Sequence, residues 1–315
     1  MHRRGRGAHV NLRSLRYFVT IVELSGISRA ARALHIAQPA LTQHVAALEE
    51  KLKVQLLLRT VNGVVPTDAG MALYRNARQI LRQIDQTVLE VQAQGDQPRG
   101  KVSIGMPTAV AYVLTVPLLG EIRRRYPEIE LHIIENMSGI LLELLSSGRL
   151  DMSFLYDGGR QAALKSFKAT KVLDEELVYV SAAKEVVPSV SLQDLVDVDW
   201  VLPAAPGGTR QIIDTGFARL GRTPRVVAEL SSAKALKGAI LSGYGASILP
   251  PAIIMEEVAR GEMRAASFTD VDLSRPLSLC VPANVPLSPA GQRVHDTAVE
   301  VVQMLIDQRV WPTVD

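Results

Sequence analysis

The chain has 315 residues, too many for one ordinary domain, and hydrophobic residues make up 47% of it, enough for at least one large core. Its formal net charge is +3 and it holds a single cysteine, so neither a disulfide framework nor a thiolate metal site is expected. No apolar run is long enough to span a bilayer, and the basic start "MHRRGRGAHV" has no apolar stretch behind it; the expectation is a cytoplasmic protein without a secretory signal. Cys280 reads as a small core residue. The net charge conceals an asymmetry: residues 1–99 hold 14 Lys/Arg against 7 Asp/Glu, whereas the remainder holds 21 against 25. A basic module that meets a polyanion, joined to a module with another task, accounts for that split.

The first hundred residues read as helices. Leu12, Leu15, Phe18, Val19 and Val22 recur at helical spacing, Ser28 is placed to cap the short helix "SRAARAL", and Pro39 sits where a first helical turn tolerates it. From Leu56 to Pro66, "LLLRTVNGVVP" sets β-prone residues around Asn62-Gly63, a hairpin signal that predicts a two-stranded ribbon. Residues 67–94 follow without proline, and Leu73, Ala77, Ile80, Ile84, Val88 and Val91 form a stripe that predicts a rod of roughly 40 Å. A rod that long has little of its own domain to pack on, so the stripe is expected to face a second copy, with the second module of the same chain as the alternative.

"GDQPRGK", 95–101, is a linker by composition. Beyond it the rhythm changes to strands at "KVSIGM", "IELHIIE" and "LDMSFLY" with helices at 109–126 and 138–147 between them. The alternation continues through "ELVYVSA", "WVLP", a helix at about 209–220, "RVVAEL", a helix at 232–242, "ASILP", and strands near 264–268 and 277–281. Such units imply an α/β module with mostly parallel strands, whose ligands bind beyond the strand ends where helices begin.

Residues 28–52 place a short helix, a tight turn at His35-Ile36 and a second helix in the order of a helix-turn-helix. Ala30, Ala31 and Ala33 allow close approach, and Leu34, Ile36, Leu41, Val45 and Leu48 wedge the helices together. That packing turns Gln38, Thr42, Gln43 and Ala46 outward, where amide and hydroxyl groups suit the base edges of a major groove. Arg29, Arg32 and Arg59 are the candidates for phosphate contacts.

"SRAARALHIAQPALTQHVAALEEKL", followed by "QLLLRT" and "PTDAG", resembles the winged helix-turn-helix signature of LysR-type transcriptional regulators. "GKVSIG", "YPEIEL", "GRLDMSFLY" and "SGYGASILP" are similar to that family's effector-binding domain, and "LHIAQPAL", "ENMSG", "LDMSFLYD" and "LSLCVPANVPLSP" resemble its nitrogen assimilation control subgroup. Leu57 stands where phenylalanine is frequent, and Asn62 where a basic wing residue is frequent, which shifts weight to Arg59. The resemblance implies an all-α winged helix-turn-helix domain over 1–66 with Pro39 in its DNA-binding set, and a dimerising linker helix over 67–94. It also implies a two-lobed, periplasmic-binding-protein-like α/β effector domain over 95–315, with one lobe at about 100–162 and 269–315 and the other at about 163–268. A homo-oligomer, usually a tetramer built as a dimer of dimers, would bind promoter half-sites and activate or repress transcription, contacting RNA polymerase where it activates. Because such chains usually begin just before the first helix, residues 1–9 are expected to be either a basic arm or residues upstream of a valine start at Val10.

The family's inter-lobe cavity maps onto Pro107 and Thr108, onto Met137, Ser138 and Gly139, and onto "PAAPGGTR" with Thr209 and Arg210. Thr108, Ser138 and Thr209 at helix starts suit a small organic anion, Arg210 could add charge, and Phe154 and Tyr156 could line the wall. The alternatives are that Thr108 and Ser138 are plain helix caps, that Arg210 is solvated, and that the pocket is empty, as in effector-independent regulators of the nitrogen assimilation kind. No cofactor is expected: Gly243 and Gly245 lack the third glycine of a dinucleotide loop. The six histidines, at 2, 9, 35, 44, 132 and 295, show no paired metal spacing, and no G-x-S-x-G elbow occurs, so an enzyme or a pure solute receptor is the weaker reading.

Overall fold

The computed structural model describes residues 10–92, 97–157, 166–182, 188–195, 197–205 and 207–311, so the expectations for residues 1–9 lie outside it. The described residues form two compact units: one runs from Val10 through the long helix ending at Gln92 and takes in Ser146–Arg149, and the other holds the rest from Gln97 on.

In the first unit, α1 (Leu12–Glu23) opens with the Asn11 carboxamide accepting from the Ser14 amide at 2.8 Å. Helix α2 (Ile27–Ala33) has Gly26, not Ser28, at its N-cap; Ser28 is the second helical residue, and its hydroxyl turns to Gln38 instead. His35, in the left-handed region at φ 54°, makes the turn into α3 (Gln38–Leu52), whose first turn contains Pro39. Phe18, Ile21, Ala30 and Leu41 are fully buried between the three helices, with Leu34 and Ile36 packed on them. His44 sets its ring edge against Tyr17, with centroids 5.0 Å apart.

The wing pairs β1 (Leu57–Thr60) with β2 (Gly63–Pro66) antiparallel. Thr60 opposes Gly63, so the loop is Val61-Asn62 and not the expected Asn62-Gly63 turn. Gly63 is needed for a different reason: its φ is +132°, and a Cβ there would lie 2.2 Å from the Ser25 carbonyl oxygen. That oxygen also accepts from the Val64 amide at 3.2 Å, which pins the wing to the α1–α2 turn. At the other end of the hairpin, the Glu49 carboxylate accepts from the amides of Leu56 and Leu57. Leu57 is buried in the same core. Helix α4 (Asp68–Gln92) has 25 residues. Tyr74 and Ala77 are buried against the domain, whereas Ile80, Val88 and Val91 farther along are exposed.

In the second unit, β3 (Gly100–Met106), α5 (Thr108–Arg125), β4 (Ile129–Glu135), α6 (Ser138–Ser146) and β5 (Met152–Tyr156) form parallel units of one lobe. Two long strands, β6 (Phe167–Glu176) and β13 (Ser274–Pro282), then complete a five-stranded sheet of order β4-β3-β5-β13-β6. Strand β13 runs antiparallel to both neighbours, so the sheet is mixed, and residues 167–176 belong to it and not to the second lobe. Helix α10 (Pro289–Asp307), capped by the Ser288 hydroxyl, buries Val294, Ala298, Val301 and Val302 in the core shared with this sheet. Cys280 is buried in a separate cluster with Leu141, Leu145 and Leu155, its thiol pushed up to about 12 by burial and then by the Asp157 carboxylate.

The second lobe holds β7 (Val178–Ser181), β8 (Ser189–Val190), β9 (Asp199–Pro203), α7 (Gly208–Arg219), β10 (Arg225–Leu230), α8 (Ala233–Leu241), β11 (Ser247–Leu249), α9 (Met255–Ala259) and β12 (Arg264–Phe268). Its main sheet has the order β11-β7-β12-β8, with antiparallel pairs on both sides of β7, and a Trp200–Ala246 bridge joins the parallel β9–β10 pair to it. Trp200, Ile213 and Phe217 fill the core beneath α7. No helix of the described residues is long and apolar enough to cross a membrane.

The Gly63→Ala variant is expected to lose about 1–3 kcal/mol, because both the backbone conformation and the approach to Ser25 oppose a side chain. Urea unfolding of the full chain measures this; a loss within about 0.5 kcal/mol would show that the wing relaxes freely.

Candidate nucleic-acid interface and ligand cavity

In the first unit, α2, the start of α3 and the wing enclose an open recess of about 320 Å³ lined by Ser28, Arg29, Gln38, Thr42, Arg59 and Asn62 among others. Gln38 is the first residue of α3, exposed, with its Oε1 accepting from the Ser28 hydroxyl at 3.0 Å. One turn on, the Thr42 hydroxyl donates to the Gln38 backbone carbonyl at 3.1 Å, a bond within the helix. Pro39, Gln43 and Ala46 are exposed on the same helix outside the recess, and Arg32 is exposed on α2. Arg59 projects from β1 into the recess. Arg29 differs from expectation: its guanidinium donates to the carbonyls of Leu24 and Ser25 at 2.6 and 2.7 Å, closing the end of α1. It therefore shapes the recess more than it reaches outward. Asn62, which stands where a basic wing residue is frequent, lines the recess with Arg59.

In the second unit, a cavity of about 250 Å³ opens between the lobes. Pro107, Thr108, Met137, Ser138, Tyr156 and Thr209 are among the residues that line it. The starts of four helices, α5, α6, α7 and α8, meet there. Three of them, capped by Pro107, Gly207 and Ser232, have no side-chain hydrogen bond at the N-cap, so their first amides are left to solvent or ligand. Thr108 and Ser138 are thus not N-caps; both are first helical residues, and the Ser138 hydroxyl accepts from the Tyr156 amide at 3.4 Å. Apolar wall comes from Ile212, Leu230, Leu236, Leu249 and Ile253.

Two expected residues are elsewhere. Phe154 is fully buried in the core two residues short of the strand end, so only Tyr156 reaches the cavity. Arg210 does not line the cavity: it pairs with Asp214 at 2.8 Å and Glu229 at 2.6 Å, and the Asp214 bond, ahead of the Glu229 one, raises its pKa.

The charge at the cavity is instead Arg275 on β13, which sequence reasoning missed. Its Nε and Nη2 donate to Glu175 at 3.0 and 2.6 Å, its Nη1 donates to the Thr209 hydroxyl at 2.8 Å, and its guanidinium lies 3.6 Å from the Tyr156 ring centre. Burial works against its charge, but Glu175 and Tyr156 outweigh that and the pKa of Arg275 is raised. The Tyr156 phenol is pushed well above its usual value, by burial first and by the Glu175 charge second, so it stays neutral; its buried hydroxyl has no hydrogen-bond partner among the described residues. The only signal in the sequence was an arginine at the head of an otherwise apolar strand, "SRPLSLC".

Replacing Glu175 by Gln leaves the buried Arg275 cation without its counter-ion and is expected to destabilise the chain by about 3–5 kcal/mol. Chemical denaturation checks it; a loss below about 1 kcal/mol would mean that solvent reaches the pair.

Two family models match the chain: "Bacterial regulatory helix-turn-helix protein, lysR family" over residues 12–71, and "LysR substrate binding domain" over residues 95–303. The nitrogen assimilation regulatory protein nac of Escherichia coli (strain K12) is 38% identical over 312 residues, covering 97% of this chain and 100% of that protein. The protein of the same name from Klebsiella aerogenes is 38% identical over 93% of this chain and 95% of its own. Among solved structures, a full-length OxyR variant from Pseudomonas aeruginosa superposes with a TM-score of 0.72 at 23% identity, covering 94% of this chain and 95% of that one. ArgP from Mycobacterium tuberculosis superposes with a TM-score of 0.73 at 17% identity, covering 92% and 96%, and shares the fold. With a helix-turn-helix unit, a two-lobed α/β unit and matches over nearly its whole length, the chain belongs to the LysR family of bacterial transcriptional regulators.

Proposed function

We propose that this regulator reads its promoter sites through Gln38, Thr42 and Gln43, holds the phosphate backbone with Arg32 and Arg59, and responds to a small organic anion in the cavity of its second unit. The recess in which Gln38, Thr42 and Arg59 meet carries the DNA half of this reading, because it sets amide, hydroxyl and guanidinium donors side by side at the start of a helix. The exposed Ile80, Val88 and Val91 along α4 support pairing with a second copy, and through it a dimer of dimers in the cytoplasm that meets RNA polymerase when it activates. Thr42→Ala and Gln43→Ala are each expected to weaken specific retardation roughly tenfold while sparing non-specific binding. Gel shifts in graded salt with operator and scrambled duplexes measure both, and equal loss on the two would overturn the assignment.

The uncapped helix starts around Arg275 and Tyr156 carry the effector half. Neutralisation of Arg275 by Glu175 favours a second reading, an effector-independent regulator of the nitrogen assimilation kind, with a cavity that stays empty. Thermal melting against a panel of small mono- and dicarboxylates decides between them. The anion reading expects a saturable rise in Tm with at least one member that the cavity-filling Ala204→Trp variant abolishes; no rise with any, or the same rise in the variant, favours the second reading.

A further inference from the structure

Gln38, Thr42 and Arg59, which line the recess of the first unit, have a role in the reading above, but Ser28 beside them does not. It lies on α2, outside the reading helix, and the only partner its hydroxyl has among the hydrogen bonds described is the Gln38 amide oxygen at 3.0 Å. A glutamine amide carries a donor face and an acceptor face, and by rotating half a turn it can offer either one to a base edge. A glutamine free to rotate accepts any of the four bases at some cost; a glutamine held in one orientation does not.

Here the hold is specific. The Ser28 hydroxyl donates to Oε1, while the Arg29 guanidinium is already taken up by the carbonyls of Leu24 and Ser25. The Thr42 hydroxyl is taken up by the Gln38 backbone carbonyl and leaves the side-chain amide to Ser28. With Oε1 engaged, Nε2 is the group left to face outward. In the major groove guanine, adenine and thymine each present an acceptor that Nε2 can meet, whereas cytosine presents only its amino donor.

We propose that Ser28 is a positioning residue for sequence recognition: by holding the Gln38 amide with its nitrogen outward, it makes the regulator exclude cytosine at the contacted base. The proposal rests on Gln38 facing a base, and on no knowledge of the operator. Ser28 itself then touches no base.

Selection of binding sites from a random duplex library, followed by quantitative binding to the selected set, tests this with the full-length protein. The wild type is expected to discriminate against cytosine at one position of each half-site by roughly tenfold. Ser28→Ala should erase that discrimination at that position alone, and Ser28→Thr, which keeps the hydroxyl, should restore it. Gln38→Glu, an acceptor only, should invert the preference so that cytosine becomes favoured there. If Ser28→Ala lowers binding to all sequences alike and keeps the exclusion, Ser28 is a phosphate contact and the proposal falls. If Gln38→Ala alters no position, it is the assignment of Gln38 to a base that falls. If Gln38→Ala alters one position and Ser28→Ala leaves it unchanged, the positioning role alone is overturned.

Discussion

Arg275 and Glu175 face each other in register on β13 and β6, the two long antiparallel strands by which the chain leaves the first lobe and returns to it. Both side chains are almost fully buried, at 5% and 0% exposure, and a buried charge is tolerated only while its partner stays in place. The pair therefore acts on pairing register as well as on local charge, because slipping either strand by one residue would carry one charge to the opposite face of the sheet. Everything at the cavity follows from that placement. The guanidinium reaches Thr209 at the start of α7 in the second lobe and stacks on Tyr156 at the end of β5 in the first, so one side chain touches both walls.

In the first unit a single backbone oxygen has a comparable part. The Ser25 carbonyl accepts from the Val64 amide of the wing and from the Arg29 guanidinium of α2, and Gly63 is obliged to have no side chain so that the wing can come this close. The wing, the first turn and α3 are thereby set around one recess. This explains why an arginine in the middle of the helix-turn-helix is spent on carbonyls: the last turn of α1 leaves acceptors without partners, and a buried or crowded acceptor without a donor costs more than one phosphate contact returns.

Sequence reasoning recovered those elements whose residues carry a period. The three helices of the first unit, the wing, and strands such as Ile129–Glu135 and Arg225–Leu230 were legible because apolar positions repeat at helical or strand spacing. No element was legible over Phe167–Glu176, since half of "FKATKVLDEE" is charged, as an edge strand with one side in water can be. The hairpin was legible but not its loop, because Asn62-Gly63 is a strong turn signal locally and the glycine is demanded by Ser25, far away in the chain. Of the cavity, the residues at helix starts were legible from strand-loop-helix order. Phe154 and Arg210 were not, as each was judged by its neighbours in sequence and placed by its neighbours in space.

What the sequence by itself determined is the plan: a basic helical module with an outward row of Gln38, Thr42 and Gln43, a long apolar-striped helix, and an α/β module with helix starts gathered at strand ends. Periodicity, capping and charge are local properties, so a single chain of letters carries them. Only the tertiary structure decided which charge guards the cavity, which arginine is spent on carbonyls, and which way the Gln38 amide is turned. Those outcomes depend on pairs 100 residues apart for Arg275 and Glu175 and 10 apart for Ser28 and Gln38, and such pairs exist only once packing and strand register have brought them within hydrogen-bond distance.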